Sequence, residues 1–144
     1  MKIPHQIDSF SGEYRFLSNF WPCRVEFEGQ IYPSVEHAYV AAKTTNPLIR
    51  ELITVIKTAG KAKRVGKAMS LRSDWEDVKE NIMYELVKCK FSRDLELKEK
   101  LLATGDAQLI EGNTWGDTFW GVCSGFGDNK LGKILMKVRE ELEE

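Results

Sequence analysis

The sequence predicts an α+β fold, mainly helical, formed as a single domain over residues 1–144 with a small β-sheet. Three observations lead there. Apolar residues recur at spacings of three and four in the stretch Trp75 to Cys89 and again from Leu131 to Leu142, the period of amphipathic helices. Short runs rich in β-branched and aromatic residues, "RVEFEGQIYP" and "QLIEGNTWGDTFWGV", lack that period and favour strand. The order is strands, then several helices, then a strand pair and a last helix, which fits α+β architecture.

Each element has its own signal. "YRFL" reads as a strand. In "RVEFEGQIYP", Val25 and Phe27 alternate with charges, and Glu28-Gly29 supplies a turn before Ile31 and Tyr32. Ser34 caps a helix running to about Lys43. Asn46 followed by Pro47 marks a second helix start, and "PLIRELITVIKT" extends it to near Gly60. A short helix, "KAKRVGKAM", follows. Ser73 and Glu76 form a capping box ahead of the stripe Trp75, Val78, Ile82, Leu86 and Cys89. "DLELKEKLLAT" is a further helix stopped at Gly105. Asn129 caps the last helix, which buries Leu131, Leu135, Val138 and Leu142.

With 144 residues the chain is long enough for one domain with a real core, and 42% hydrophobic against 30% charged residues is ordinary globular usage. No apolar run approaches the roughly 20 residues that span a bilayer, and the N-terminus lacks a signal-peptide segment, so a cytoplasmic protein is expected. Cys23, Cys89 and Cys123 are odd in number and far apart, which fits reduced, mostly buried thiols better than a disulfide framework. With two histidines, His5 and His37, a histidine metal centre is not expected, nor any cofactor. Net charge is −1, which argues against a global pull on nucleic acid. Between Leu52 and Ser73, however, there is no acid and there are six bases, Lys57, Lys61, Lys63, Arg64, Lys67 and Arg72. A local basic patch on a near-neutral chain suits a compact phosphorylated ligand.

Four stretches carry groups able to do chemistry. In "YPSVEHAYVAAKT" the helix period puts Glu36, Val40 and Lys43 on one face, with residues 36 and 43 about 10 Å apart along the axis. They either grip opposite ends of a small ligand or decorate a solvated surface. His37 lies near Ala41 and either contacts ligand or caps and hydrogen-bonds locally. In "FLSNFWP", Ser18 and Asn19 are turn formers, and Phe20 and Trp21 either stack on a flat base or flank the turn as core. In "GNTWGDTFWGV", an extended chain places Asn113, Trp115 and Asp117 on one side and Trp120 on the other. Glycines there, Gly121 among them, let backbone come close to a ligand, or simply make a turn. "AGKAKRVGK" departs from a Walker A loop in spacing, and Lys61, Lys63 and Arg64 either suit phosphate or form a solvated basic helix face.

Together and in this order, "FLSNFWPC", "YPSVEHAYVAAKT", "GKAKRVGKAM", "NIMYELVKCKF", "LLATGDAQLIEGNTWGDTFWGV" and "NKLGKILMKVREEL" resemble the NADAR family, also described as YbiA-like N-glycosidases, over roughly residues 9–142. The resemblance implies hydrolysis of an N-glycosidic bond. It associates two substrate classes: phosphoribosylamino-pyrimidine intermediates of riboflavin synthesis, and ADP-ribose on the amino group of guanine in DNA or RNA, sometimes left by a toxin partner with ADP-ribosyltransferase activity. Carried over residue by residue, it implies Glu36, Lys43 and Asp117 as catalytic groups. Trp115, Trp120 or Phe20 would stack on the base, Lys61, Lys63 and Arg64 would hold phosphate, and Ser18, Asn19 and Asn113 would fix ribose hydroxyls. Arg15, Trp21, His37 and Gly121 complete the candidate binding set. Two mechanisms are open: a carboxylate pair activating water, or a Lys43 Schiff base. Two other classes compete with an enzyme, a non-catalytic ADP-ribose reader and a partner-binding protein using exposed tryptophans.

Overall fold

A computed structural model describes residues 4–143. The chain is α+β and mainly helical, and it forms two compact units: Asn19–Lys90, and the stretches up to Ser18 and from Phe91 onward.

In the unit spanning residues 19–90, β2 (Val25–Phe27) and β3 (Gln30–Tyr32) pair antiparallel, Val25 opposite Tyr32. Glu28 (φ 45°) and Gly29 (φ 87°) form the turn, two left-handed residues as a tight hairpin requires. Arg50 holds Glu28 through an ion pair of 2.6 Å. Next comes α1 (Val35–Ala42), capped by Ser34, whose Oγ accepts from the His37 amide. Every residue of α1 except Glu36 is buried. A helix apolar on all sides belongs inside a structure, and α1 packs against α2 (Pro47–Ile53), α3 (Ala59–Ala68), β2 and β3. Asn46 caps α2 by accepting from the Leu48 and Ile49 amides, with Pro47 at the first helical position. The helix α4 (Trp75–Arg93) begins in this unit and buries Trp75, Ile82, Met83, Leu86 and Val87.

In the other unit, β1 (Gln6–Ile7) pairs parallel with β4 (Gln108–Leu109), and β5 (Gly112–Asn113) pairs parallel with β6 (Val122–Cys123). The helix α5 (Leu95–Leu102) packs on α6 (Lys130–Leu142), which also covers β4. The left-handed Gly105 (φ 61°) follows α5, as the sequence implies.

Five local expectations are corrected. "YRFL" lies in a 3-10 helix, Gly12–Leu17, not a strand: the aromatic spacing imitates strand alternation, but Phe16 and Leu17 both turn inward. The helix opened by Pro47 ends at Ile53, and Thr58 caps α3 afresh by accepting from the Lys61 amide. The helix α4 starts one residue later than Ser73 implies: the Asp74 carbonyl accepts from the Asp77 and Val78 amides. Asn129 precedes α6 but its side chain points elsewhere, as described below. The three cysteines form no disulfide but are half-buried, because they sit in or beside short strands and on a helix flank instead of inside the core. Among the described residues, no helix is long and apolar enough to cross a membrane, and no cluster of three or more His, Cys, Asp or Glu could hold a metal ion.

Candidate active site

The sequence of α1 explains its contents. Small and β-branched residues let neighbours close around it, leaving Glu36 near its start and Lys43 at its end as the half-buried polar groups. Helical side chains lean toward the N-terminus, so the lysine arm reaches back along α1. Its ammonium lies 5.7 Å from the Tyr39 ring centroid, one turn earlier, and Tyr39 packs at 5.0 Å on Trp75 of α4. The backbone at Lys43 is fixed from outside the helix: its carbonyl accepts from the Arg72 amide at 2.7 Å, and the Arg72 guanidinium reaches the Ala42 carbonyl at 3.4 Å. A cation at the C-terminal end of a helix is electrostatically favourable. Asp74 in turn holds Arg72 by two bonds of 2.6 and 3.1 Å.

Burial pushes the Lys43 amine below the usual lysine range; the Glu36 carboxylate pulls it back up, and Lys63 and Lys79 push it further down. The apolar helix therefore supplies the desolvation that a nucleophilic lysine needs. Lys63 of α3 places its ammonium 5.8 Å from the ring centroid of Phe20, itself 38% exposed. The Asn19 carbonyl accepts from the Glu36 amide at 3.0 Å, so the loop carrying Phe20 and Trp21 is tied to the first turn of α1. The Asn19 side chain donates to the Met83 sulfur at 3.5 Å. Lys61 and Arg64 lie exposed on α3.

His37 takes the local role. It is 2% exposed, and its Nε2 donates to the Ile56 carbonyl at 2.9 Å, which fixes the tautomer because a carbonyl only accepts. Nδ1 then accepts from the Ser34 hydroxyl at 2.6 Å. Both ring nitrogens are engaged inside the protein, and burial lowers the imidazole pKa. His37 is thus a clamp between α1 and the segment after α2, which corrects its place in the binding set.

In the other unit, the segment between β5 and β6 is not extended beyond Asn113; Gly116 (φ 86°) turns it, so the two-sided alternation expected there does not form. Asn113 spends its amide internally, Nδ2 donating to Glu111 Oε2 and the Asp117 carbonyl at 2.9 Å each and Oδ1 accepting from the Asp117 amide. Asp117 Oδ1 accepts from the Phe119 and Trp120 amides at 3.1 and 2.9 Å. Gly121 is buried where a side chain would overlap Glu111, so its close approach within this unit is to that residue. Trp115 is 62% exposed, Trp120 half-buried against Phe119, and Arg15 and Ser18 flank the end of the 3-10 helix. Asn129 adopts the left-handed conformation (φ 52°), and its side chain bonds the Leu109 carbonyl and the Glu111 amide at 2.9 Å each.

A shallow depression of about 450 Å³ lies elsewhere in the 19–90 unit, lined by Cys23, Arg24, Ile31, Tyr32, Pro33 and Thr54. It includes none of the residues expected from sequence.

A family model described as the NADAR domain matches residues 8–143. The chain belongs to the NADAR family. It is 40% identical over 139 residues to the Escherichia coli protein called N-glycosidase YbiA, covering 93% of this chain and 85% of that one. It is also 40% identical over 132 residues to a riboflavin biosynthesis protein of Vibrio vulnificus, of which the chain spans 36% of the length. The NMR structure of Escherichia coli YbiA matches with a TM-score of 0.83 at 36% identity, covering 96% of this chain and 85% of that one. The NADAR fold expected from the motifs is thus the fold observed.

Within this NADAR chain, sequence reasoning passed over Tyr39, Arg72, Trp75, Lys79 and Gly66 around the lysine. Tyr39 stands four residues before Lys43, a helical neighbour by spacing alone. Lys79 stands four residues after Trp75 on α4. The others come from distant segments, and no local pattern announces them.

Proposed function

We propose that this chain hydrolyses the N-glycosidic bond between a 5-phosphorylated ribose and an exocyclic amino group of a base, its preferred substrate being ADP-ribose on guanine in nucleic acid. The observation that carries the reading is the half-buried Lys43 amine, its pKa lowered by burial and coupled to Glu36 at the end of an otherwise enclosed helix. The names of the related N-glycosidases support a hydrolase acting on N-glycosyl bonds. The acid-free basic stretch from Leu52 to Ser73 supports a phosphate-rich substrate.

An exocyclic glycosylamine opens its sugar ring to an imine at C1. The neutral Lys43 amine adds to that carbon, the base leaves with its amino group, and a lysine Schiff base remains. Water then adds to C1, the C–N bond to lysine breaks, and free sugar and free amine are regenerated. Glu36 accepts and returns the protons that these additions shed. Phe20 offers a face for the base, and Lys63, Lys61 and Arg64 attract phosphate. This route is preferred over a carboxylate pair because one oxygen of Asp117 is engaged in holding its own turn.

A second substrate reading, phosphoribosylamino-pyrimidines, is favoured by the riboflavin biosynthesis name of the Vibrio relative. Incubation with an ADP-ribosylated guanine oligonucleotide and, separately, with the phosphoribosylamino-pyrimidine distinguishes them by mass spectrometry of released sugar. Binding of ADP-ribose with release from neither substrate would instead identify a non-catalytic reader. A cognate ADP-ribosyltransferase toxin is the partner this reading implies if the oligonucleotide is cleaved.

A further inference from the structure

Glycine in the middle of a helix is disfavoured against alanine, so a buried glycine with ordinary helical backbone there calls for a steric reason. Gly66 is such a residue. It lies inside α3, it is buried, and its φ is not in the left-handed region. A Cβ at this position would stand 2.9 and 3.2 Å from the two methyls of Val40 and 3.3 Å from Lys43 Nζ. Val40 is fully buried and β-branched, with little rotameric freedom. The lysine amine ends a flexible arm and is the group that would give way.

We propose that Gly66 is a positioning residue for the Lys43 amine: the side chain it lacks is the space in which that amine is seated. The inference rests on the reading of Lys43 as the reacting group. Around the seat stand the Tyr39 ring and the charges that face the amine, Glu36 from α1, Lys63 from α3 and Lys79 from α4. A methyl group at residue 66 would displace the ammonium by a few tenths of an ångström, besides crowding the Val40 methyls. The amine would then lose its alignment with an imine carbon, and sub-ångström misplacement of a reacting group costs rate more than binding.

The test uses the full chain with three variants, Gly66→Ala, Val40→Ala and the double variant. Val40→Ala vacates the methyls that a new Cβ would meet, so the double variant isolates the encounter with Lys43. Three quantities are read: melting temperature, kcat and KM on the ADP-ribosylated guanine oligonucleotide, and the pH midpoint of Lys43 acetylation followed by mass spectrometry. Relative to Val40→Ala, the double variant is expected to melt no lower, to lose about tenfold or more in kcat with KM nearly unchanged, and to raise the acetylation midpoint as the amine becomes better solvated. A midpoint that stays or falls overturns the proposal, because the amine has then kept its place. Recovery of kcat to the Val40→Ala level also overturns it and reduces Gly66 to a packing residue between α1 and α3. If the wild type cleaves no substrate, the acetylation midpoint still decides the positioning, and only the catalytic reading is lost.

Discussion

Lys43 and Glu36 answer to different physical tests. Lys43→Ala is expected to abolish any borohydride-trapped adduct with substrate and to lower kcat by about two to four orders of magnitude, as removal of a covalent or proton-transferring group does. Near-normal turnover by that variant would exclude the Schiff base. The charges around the amine give opposite shifts. Glu36 pulls the Lys43 pKa up, so Glu36→Gln should move the acid limb of the pH–rate profile to lower pH, besides slowing the reaction. Lys63 and Lys79 push it down, so Lys63→Met or Lys79→Met should move that limb to higher pH. A profile of kcat against pH for the three variants checks the signs. The lysine, its carboxylate partner and the need for desolvation were legible in the thirteen residues from Tyr32 to Thr44, because helical periodicity is local. The neighbours that tune the amine were not, since Lys63 and Lys79 reach it across separate segments.

At the level of the element, two of the four caps expected from sequence, Ser34 and Asn46, hold, while Ser73 and Asn129 do not, and Asp94 caps a helix without having been singled out. Ser34, Asn46 and Asp94 each accept from backbone amides of the first turn of the helix they precede. Ser34 also donates to His37, so its loss removes a cap and leaves a buried imidazole nitrogen without its donor. Ser34→Ala should therefore cost about 1–2 kcal/mol, read as a lowered urea midpoint at unchanged slope. What misled was any run in which two elements share one hydrophobic pattern. Thr54, Val55 and Ile56 continue the apolar run of α2 but end the helix, being β-branched and followed by the cap of α3. The pairing of the two-residue strands was unreadable for another reason. Gln6 pairs with Gln108 across most of the chain, and Asn129 bonds the backbone at Leu109 and Glu111, so distant sequence determines both. Asn129→Gly keeps the left-handed backbone and removes those two bonds; a fall in melting temperature would measure the clamp separately from the conformation.

For the whole molecule, stability should follow pH in three windows. Burial lowers the His37 pKa below 6.5, so beneath that value the unfolded chain takes up the proton first and stability falls as pH falls. Lys90 is 1% exposed and burial brings it down to about 8 from 10.5. Between those values the unfolded chain holds more protons, so stability rises with pH, by up to a few kcal/mol. Lys43 acts in the same direction. Tyr32 is raised above 10.0, chiefly by burial, so past pH 10 the unfolded chain ionises first and the gain reverses. Thermal unfolding from pH 5 to 11 would trace this curve, and Lys90→Met should flatten its middle section. The largest part of it was not visible beforehand: Lys90 stands in a helix with the look of any surface lysine, and only the packed chain shows where it went.

The enclosure of α1 has a consequence for how chemistry is shared between protein and ligand. A rod gripped on every side can neither slide nor roll without opening voids. On the Schiff-base reading, the backbone of Lys43 is the fixed side of the encounter, and the adjustment falls to the lysine arm and to a sugar whose opened ring brings its first carbon to the amine.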